Sequence, residues 1–148
     1  MALEFTGTGV LLSFNTVGAP TVYTTLAGTT DLKPPASAVD DIEVTALDST
    51  GKEFIPALAD YGEVTFTLML RKAASGNAAW VASQTAFEAY ANDGIVHGFK
   101  IIYPGTATLV YTFSGYVKEF AVDPLSPSNA ASASCSIKVS GAVTRTVV

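Results

Sequence analysis

Alternation with a period of two constrains this chain more than any other feature. In "EVTFTLML", residues 63 to 70, Val64, Phe66, Leu68 and Leu70 share one face of an extended strand, and Glu63, Thr65, Thr67 and Met69 share the other. A strand that is apolar on one side only has to be covered on that side. The pattern recurs in "SCSIKVSGAV", with Cys135, Ile137, Val139 and Val143 opposite Ser134, Ser136, Lys138, Ser140 and Ala142. It recurs again in "TLVYTFSGY", where Leu109, Tyr111 and Phe113 oppose Val110, Thr112 and Ser114. Gly115 then predicts a bulge or bend before "YVKEFAV". Further strands are predicted at "GVLLSFN", "TVYTTL", "DIEVTAL" and "IVHGFKIIY". The expected fold is mainly β, with two packed antiparallel sheets forming a sandwich or barrel.

One segment departs from this period. "GNAAWVASQTAFEAYANDG" is rich in helix formers and sets Trp80, Ser83, Phe87 and Tyr90 at helical spacing. The spacing predicts one helix over 78–91, capped by Asn77 and ended by Asn92 or Gly94. Its aromatic stripe is expected to pack on the open side of the sheets. Loops are predicted at 15–20, 27–40, 48–62 and 123–130. No internal repeat and no domain boundary is visible, so residues 1–148 read as one domain, long enough to bury roughly 70% of its unfolded surface.

Charge decides what kind of partner such a domain takes. Only 14% of residues are charged, against about 25% in an ordinary soluble domain. A surface this poor in charge is expected to be partly covered by an assembly. The net charge of −5 and a pI near 4.6 argue against a nucleic-acid grip, which needs clustered Lys and Arg. The single Cys135 excludes an internal disulfide framework. No secretory signal is expected at "MALEFTGTG". The uncharged run from Phe5 to Thr30 holds Gly, Asn, Pro and many Thr, unlike a membrane helix.

Catalytic constellations are sparse. The one histidine, His97, shares a strand face with Ile95, Phe99 and Ile101 and reads as structural. One His and one Cys cannot assemble a zinc set or a thiol-based site. Asp40, Asp41 and Glu43 cluster at a strand start, as acids on a solvated face do, though paired acids also hold cations or flank sugar bonds. No phosphate loop is present. No cofactor, metal or enzymatic activity is expected. Association remains, and "GKEFIPALADYG" points to it. Phe54, Ile55, Pro56, Leu58 and Tyr61 are too apolar for a loop in water, and contiguous exposed apolar patches mark contact surfaces.

The order of segments adds to this reading. "DLKPPASAVDDIEVTALDSTG" leads into "KEFIPALADYGEVTFTLML". The helix follows, then "TLVYTFSGYVKEFAV", and finally "SCSIKVSGAVTRT". Over residues 3–145 this resembles the major tail tube protein of long-tailed, non-contractile, lambda-like bacteriophages, with Ala57 where relatives commonly have glycine. The resemblance implies a fold of two packed sheets with a flanking helix. It implies six subunits per ring, rings stacked around a tape measure protein, and tail-tip or baseplate and tail terminator proteins as further partners. It also implies a virion tail assembled in the host cytoplasm, a channel through which DNA passes without specific binding, and no membrane binding. An added C-terminal immunoglobulin-like domain is expected to be absent. Residues 48–62 become the loop that orders against the adjacent ring, with Phe54, Ile55, Pro56, Leu58 and Tyr61 as anchors. Glu63, Thr65, Thr67, Thr112 and Ser114 become candidates for the channel wall, because a polar wall without basic grip lets a duplex slide. A tube of a contractile tail or secretion system, a carbohydrate-binding β-sandwich, and an enzyme using Asp40, Asp41 and His97 stay open as alternatives.

Overall fold

A computed structural model describes residues 9–16, 19–71, 76, 78–104 and 109–147. Alternation becomes strands as expected. In order they are β1 (Leu11–Thr16), β2 (Ala19–Thr25), β3 (Thr29–Lys33), β4 (Ala38–Glu43), β5 (Phe54–Asp60) and β6 (Glu63–Met69). The helix α1 (Ala78–Asp93) follows, then β7 (His97–Tyr103), β8 (Leu109–Val122), β9 (Ser132–Val139) and β10 (Thr144–Val147). The chain is mainly β, in two antiparallel sheets with one helix, but the division is unequal. One sheet has eight strands, ordered β2-β1-β7-β8-β9-β6-β3 with β10 against β8; the other is the two-stranded ribbon β4-β5.

The long strand β8 organises the large sheet. Its first half, Leu109 to Gly115, pairs with β7, and its second half, Gly115 to Val122, pairs with β9. β10 takes the edge of the first half beyond the end of β9, with Thr144 opposite Thr112. The expected bend at Gly115 lies elsewhere. Gly115 is paired on both sides, and the register slips two residues later, where Val117 and Glu119 face Ile137 and Ser136 and Lys118 has no opposite number. One extra residue inverts which side chains point inward. Before the bulge Phe113 and Val117 are buried; after it Phe120 turns to the core. Gly115 is needed for a different reason: a Cβ there would lie 2.4 Å from the Lys138 carbonyl oxygen.

A short turn brings the two ends of the large sheet together. Beyond β2, Leu26 N–H donates to Leu12 O at 2.8 Å, and two residues later Gly28 O accepts from Met69 N–H at 2.9 Å. Gly28 is the residue that permits this. Its φ is +86°, and a Cβ would meet the Trp80 ring at 2.7 Å and Met69 O at 2.8 Å. The sheet therefore curls around one core, formed by Leu12, Phe14, Val64, Phe66, Leu68, Phe99, Ile101, Phe113 and Ile137 among others.

The helix closes the curl. Trp80 Nε1–H and Gln84 Nε2–H both donate to Met69 O (3.3 and 2.6 Å), and Gln84 also reaches Ala27 O at 3.2 Å. Ser83 Oγ accepts from Ala27 N–H, and Tyr90 OH donates to Asn15 O at 2.7 Å. Phe87, fully buried, lies between them, with ring centroids 5.5 Å from Phe66, 6.1 Å from Phe120 and 6.2 Å from Phe14. The stripe thus packs where expected, with Gln84 added to it. Gly94, at φ +66°, ends the helix in the left-handed conformation typical of a C-terminal cap. The predicted cap Asn77 lies outside the described residues.

Cys135 sits in this core, 3% exposed, and burial pushes its thiol up to about 12. The native thiol should therefore resist a thiol-specific reagent at pH 8, where an ordinary cysteine with a pKa near 8.5 reacts readily. Ellman's reagent should label it only after unfolding; rapid labelling of the folded chain would show the packing to be wrong.

Four segments differ from the sequence expectation, the first being the loop predicted at 15–20, where β1 runs to Thr16 and β2 starts at Ala19. Residues 27–40 are not one loop, because β3 and the start of β4 lie within them. β10 is a separate four-residue strand beyond "SCSIKV". Residues 48–62 are not a loop throughout, since Phe54 to Asp60 form β5 against β4.

Candidate functional site: an exposed ribbon on a polar sheet face

The ribbon grows from the sequence as a hairpin arm. The step after Pro34-Pro35 leads into β4, and Tyr61-Gly62 leads from β5 directly into β6. Its strands register Glu43 with Phe54, Ile42 with Ile55, Asp41 with Pro56, and Val39 with Ala59. Between the last two pairs the register slips, leaving Ala57 and Leu58 opposite Asp40. Pro56 is tolerated because each strand of a two-stranded ribbon has a free edge, where a missing N–H breaks no ladder. The connecting turn is held by its own side chains. Ser49 Oγ donates to Glu53 Oε2 (2.8 Å), and Thr45 Oγ1 accepts from Glu53 N–H (2.9 Å).

Paired residues share a face, so the ribbon has two distinct apolar faces. Ile42 and Ile55 lie on one; Phe54, Pro56 and Val39 lie on the other. Neither face is covered. Phe54 is 52% exposed, Leu58 is 94% exposed, and Leu47 at the turn is fully exposed. Sequence reading found Phe54, Ile55, Pro56 and Leu58 but missed Val39, Ile42, Val44 and Leu47 on the other half. Their irregular spacing was the available signal. Tyr61 is set apart from the rest, half-buried against the core at the base of the ribbon. There Lys138 Nζ meets Asp60 Oδ1 at 3.3 Å. The Gly62 amide, and then the Lys138 ammonium, hold the Asp60 carboxyl below its usual range.

The five wall candidates lie on the outer face of the large sheet. Thr65 pairs with Ser136 and Thr67 with Ser134, while Thr112 pairs with Thr144, so hydroxyls run across β6, β9, β8 and β10. Glu63 pairs with Lys138, which pairs with Tyr116, and Ser114 lies two residues before Tyr116 on β8. Glu63 is bonded to Lys118, and that bond first of all holds its carboxyl below the ordinary value. Thr65, Thr67, Ser134, Glu63, Glu119 and Asp31 border a shallow open concavity of about 330 Å³.

The groups weighed for catalysis are dispersed or already engaged. Asp41 and Glu43 share one face of β4 and Asp40 the other, as neighbours on a strand must. His97 Nε2 bonds Asp93 Oδ2 at 2.8 Å, and its ring stacks on Tyr90 at 3.8 Å. Among the described residues no group of three or more His, Cys, Asp or Glu is placed to hold a metal.

This fold is shared with solved chains of phage-type tails and injection systems. The chain is similar to the SPP1 tail tube over 98% of its own length and 80% of that chain, with a TM-score of 0.72 at 13% identity. It is similar to a chain from the tail of an empty gene transfer agent particle of C6 symmetry, over 97% and 99% of the two chains, with a TM-score of 0.68 at 17% identity. It is also similar to a chain from an extracellular contractile injection system, the PVC sheath/tube terminator, over 98% and 99%, with a TM-score of 0.64 at 11% identity. No protein-family model matches the chain, and no curated protein matches it in sequence.

Proposed function

We propose that the chain is the structural subunit of a phage tail tube, located in the virion, without enzymatic activity. Six copies form a ring, rings stack, and the genome leaves through the channel. The observation that carries this reading is a tail-tube fold from which an apolar ribbon projects with both faces uncovered. A two-stranded ribbon alone is marginal in water, so its stability is completed by a neighbour. The pairing of β4 with β5 also means that docking does not start from a disordered loop, which lowers the entropy cost of binding. Leu47 and Leu58, nearly or fully exposed, gain roughly 1.5–3 kcal/mol each if a neighbour buries them completely.

The hydroxyl-rich outer face supplies a channel wall in this proposal, with Glu63, Thr65, Thr67, Thr112 and Ser114 towards the lumen. On this face Lys118 and Lys138 are engaged by Glu63 and Asp60, and Lys100 lies over the Tyr23 ring, so the basic grip on phosphate is weak. A tape measure protein inside the tube, and initiator and terminator proteins at its ends, complete the set of partners. Similarity to a chain of a contractile injection system keeps a contractile or secretion-type tube as the second reading, with the same assembly.

Replacing both Phe54 and Leu58 with serine should leave the subunit folded and abolish stacking. Circular dichroism would check the fold and negative-stain microscopy the stacks. Tubes of ordinary length from that double variant would exclude the ribbon as the inter-ring contact.

A further inference from the structure

The chain's charge is distributed unevenly in space. Of its thirteen acidic and eight basic side chains, six acids and one base lie between Ala38 and Asp60. The acids are Asp40, Asp41, Glu43, Asp48, Glu53 and Asp60; the base is Lys52. The ribbon therefore carries the whole formal net charge of −5, and the rest of the chain, with seven acids and seven bases, is neutral. The acids stand on both faces, beside the apolar residues: Asp40 shares a face with Ile42, and Asp41 and Glu43 share one with Phe54.

We infer that the ribbon is a charge-gated docking arm whose one permitted partner is the neutral body of a second copy of this chain. The apolar faces favour any covering surface, including another ribbon. Two ribbons face to face would set Asp40, Asp41, Glu43, Asp48 and Glu53 of each copy, with one Lys52 each, against one another, facing charges lying within a Debye length of about 10 Å at 0.1 M salt, while Asp60 is offset by Lys138. A ribbon on a neutral body meets no such repulsion. Charge therefore excludes the symmetric, self-complementary contact that closes a dimer. It leaves the head-to-tail contact, which propagates into rings or filaments. The gate deepens the tube reading, since it rests on the ribbon docking between copies, and it adds the term that selects the mode of docking.

Isotope-mixed cross-linking tests this. Chains carrying Leu47→Cys are prepared in light and heavy nitrogen, mixed, concentrated, and treated with a maleimide–succinimide linker that joins the new thiol to amines. Cys135, buried with its thiol pushed up to about 12, stays out of reach. Light–heavy links should run to lysines outside the ribbon, such as Lys33 or Lys118, rather than to Lys52. Adding Asp40→Asn, Asp41→Asn and Glu43→Gln, or raising salt from about 20 to about 500 mM, should increase light–heavy links to Lys52 about fivefold. Mixed links to Lys52 that are abundant at low salt and unchanged by neutralisation would overturn the gate. So would the lack of any light–heavy link. Microscopy of the same samples separates the two readings: cross-linked assemblies without a central channel would count against the tube while leaving the charge rule intact.

Discussion

Phe87→Ala is expected to destabilise the folded subunit by about 3–5 kcal/mol, the cost of emptying a fully buried aromatic site. Phe87 is 0% exposed and touches rings from three separate parts of the sheet: Phe14 on β1, Phe66 on β6 and Phe120 on β8 beyond the bulge. Phe14 and Phe66 lie near opposite ends of the strand order and Phe120 at its middle, so no single neighbour can collapse into the space. At this chain length the loss lowers Tm by roughly 10 °C. Urea denaturation of the monomer followed by fluorescence would measure it. Phe54→Ala provides the contrast. Its ring is 52% exposed, so its removal should change monomer stability by less than about 0.5 kcal/mol. Equal losses from the two variants would mean either that the helix does not plug the curl or that the ribbon is packed on the body.

The second large effect is expected at Gly115. An added methyl would sit 2.4 Å from Lys138 O and 3.1 Å from Ile137 Cγ2. The first of these is backbone, held in the ladder between β8 and β9, so it cannot rotate away. Gly115→Ala should cost at least about 3 kcal/mol, at or beyond the upper end of ordinary overpacking. It should also reduce soluble yield. Gly51→Ala is the control. No atom lies within 4 Å of its added Cβ, and the substitution should be neutral or stabilise by up to about 1 kcal/mol. If both alanines behave alike in thermal melts, the close approach of β8 and β9 at Gly115 is not present.

Much of the body was legible because its residues obey one rule. Val64, Phe66 and Leu68 are buried on one side of β6, as strict alternation requires, and Phe87 and Tyr90 on α1 follow helical spacing. What was not legible lies where the rule lapses for a physical reason. β4 and β5 are exposed on both faces, so nothing forces apolar and polar residues to alternate, and Pro56 speaks against a strand. β3 is short and holds Asp31 at a positive φ of 51°, where its register slips. β8 reads as two strands because the bulge at Lys118 inverts the pattern midway. The ribbon residues were found from composition alone: too much apolar side chain between turn residues. That signal names an exposed apolar surface but not its geometry, which is why it groups Tyr61 with Phe54 although Tyr61 packs on the core.

The length of β8 has a mechanical consequence. Fourteen residues, about 45 Å of extended chain, run without interruption through both halves of the curled sheet. β7 and β10 hold one end and β9 the other. Neither half can be pulled apart without disturbing the strand that the other half depends on. The described body of the large sheet is thereby tied into one unit, and load on it is passed outward to its boundaries and to the ribbon. In a stack of these subunits, flexing would be confined to the joints between copies, with each copy behaving as a stiff link in a chain.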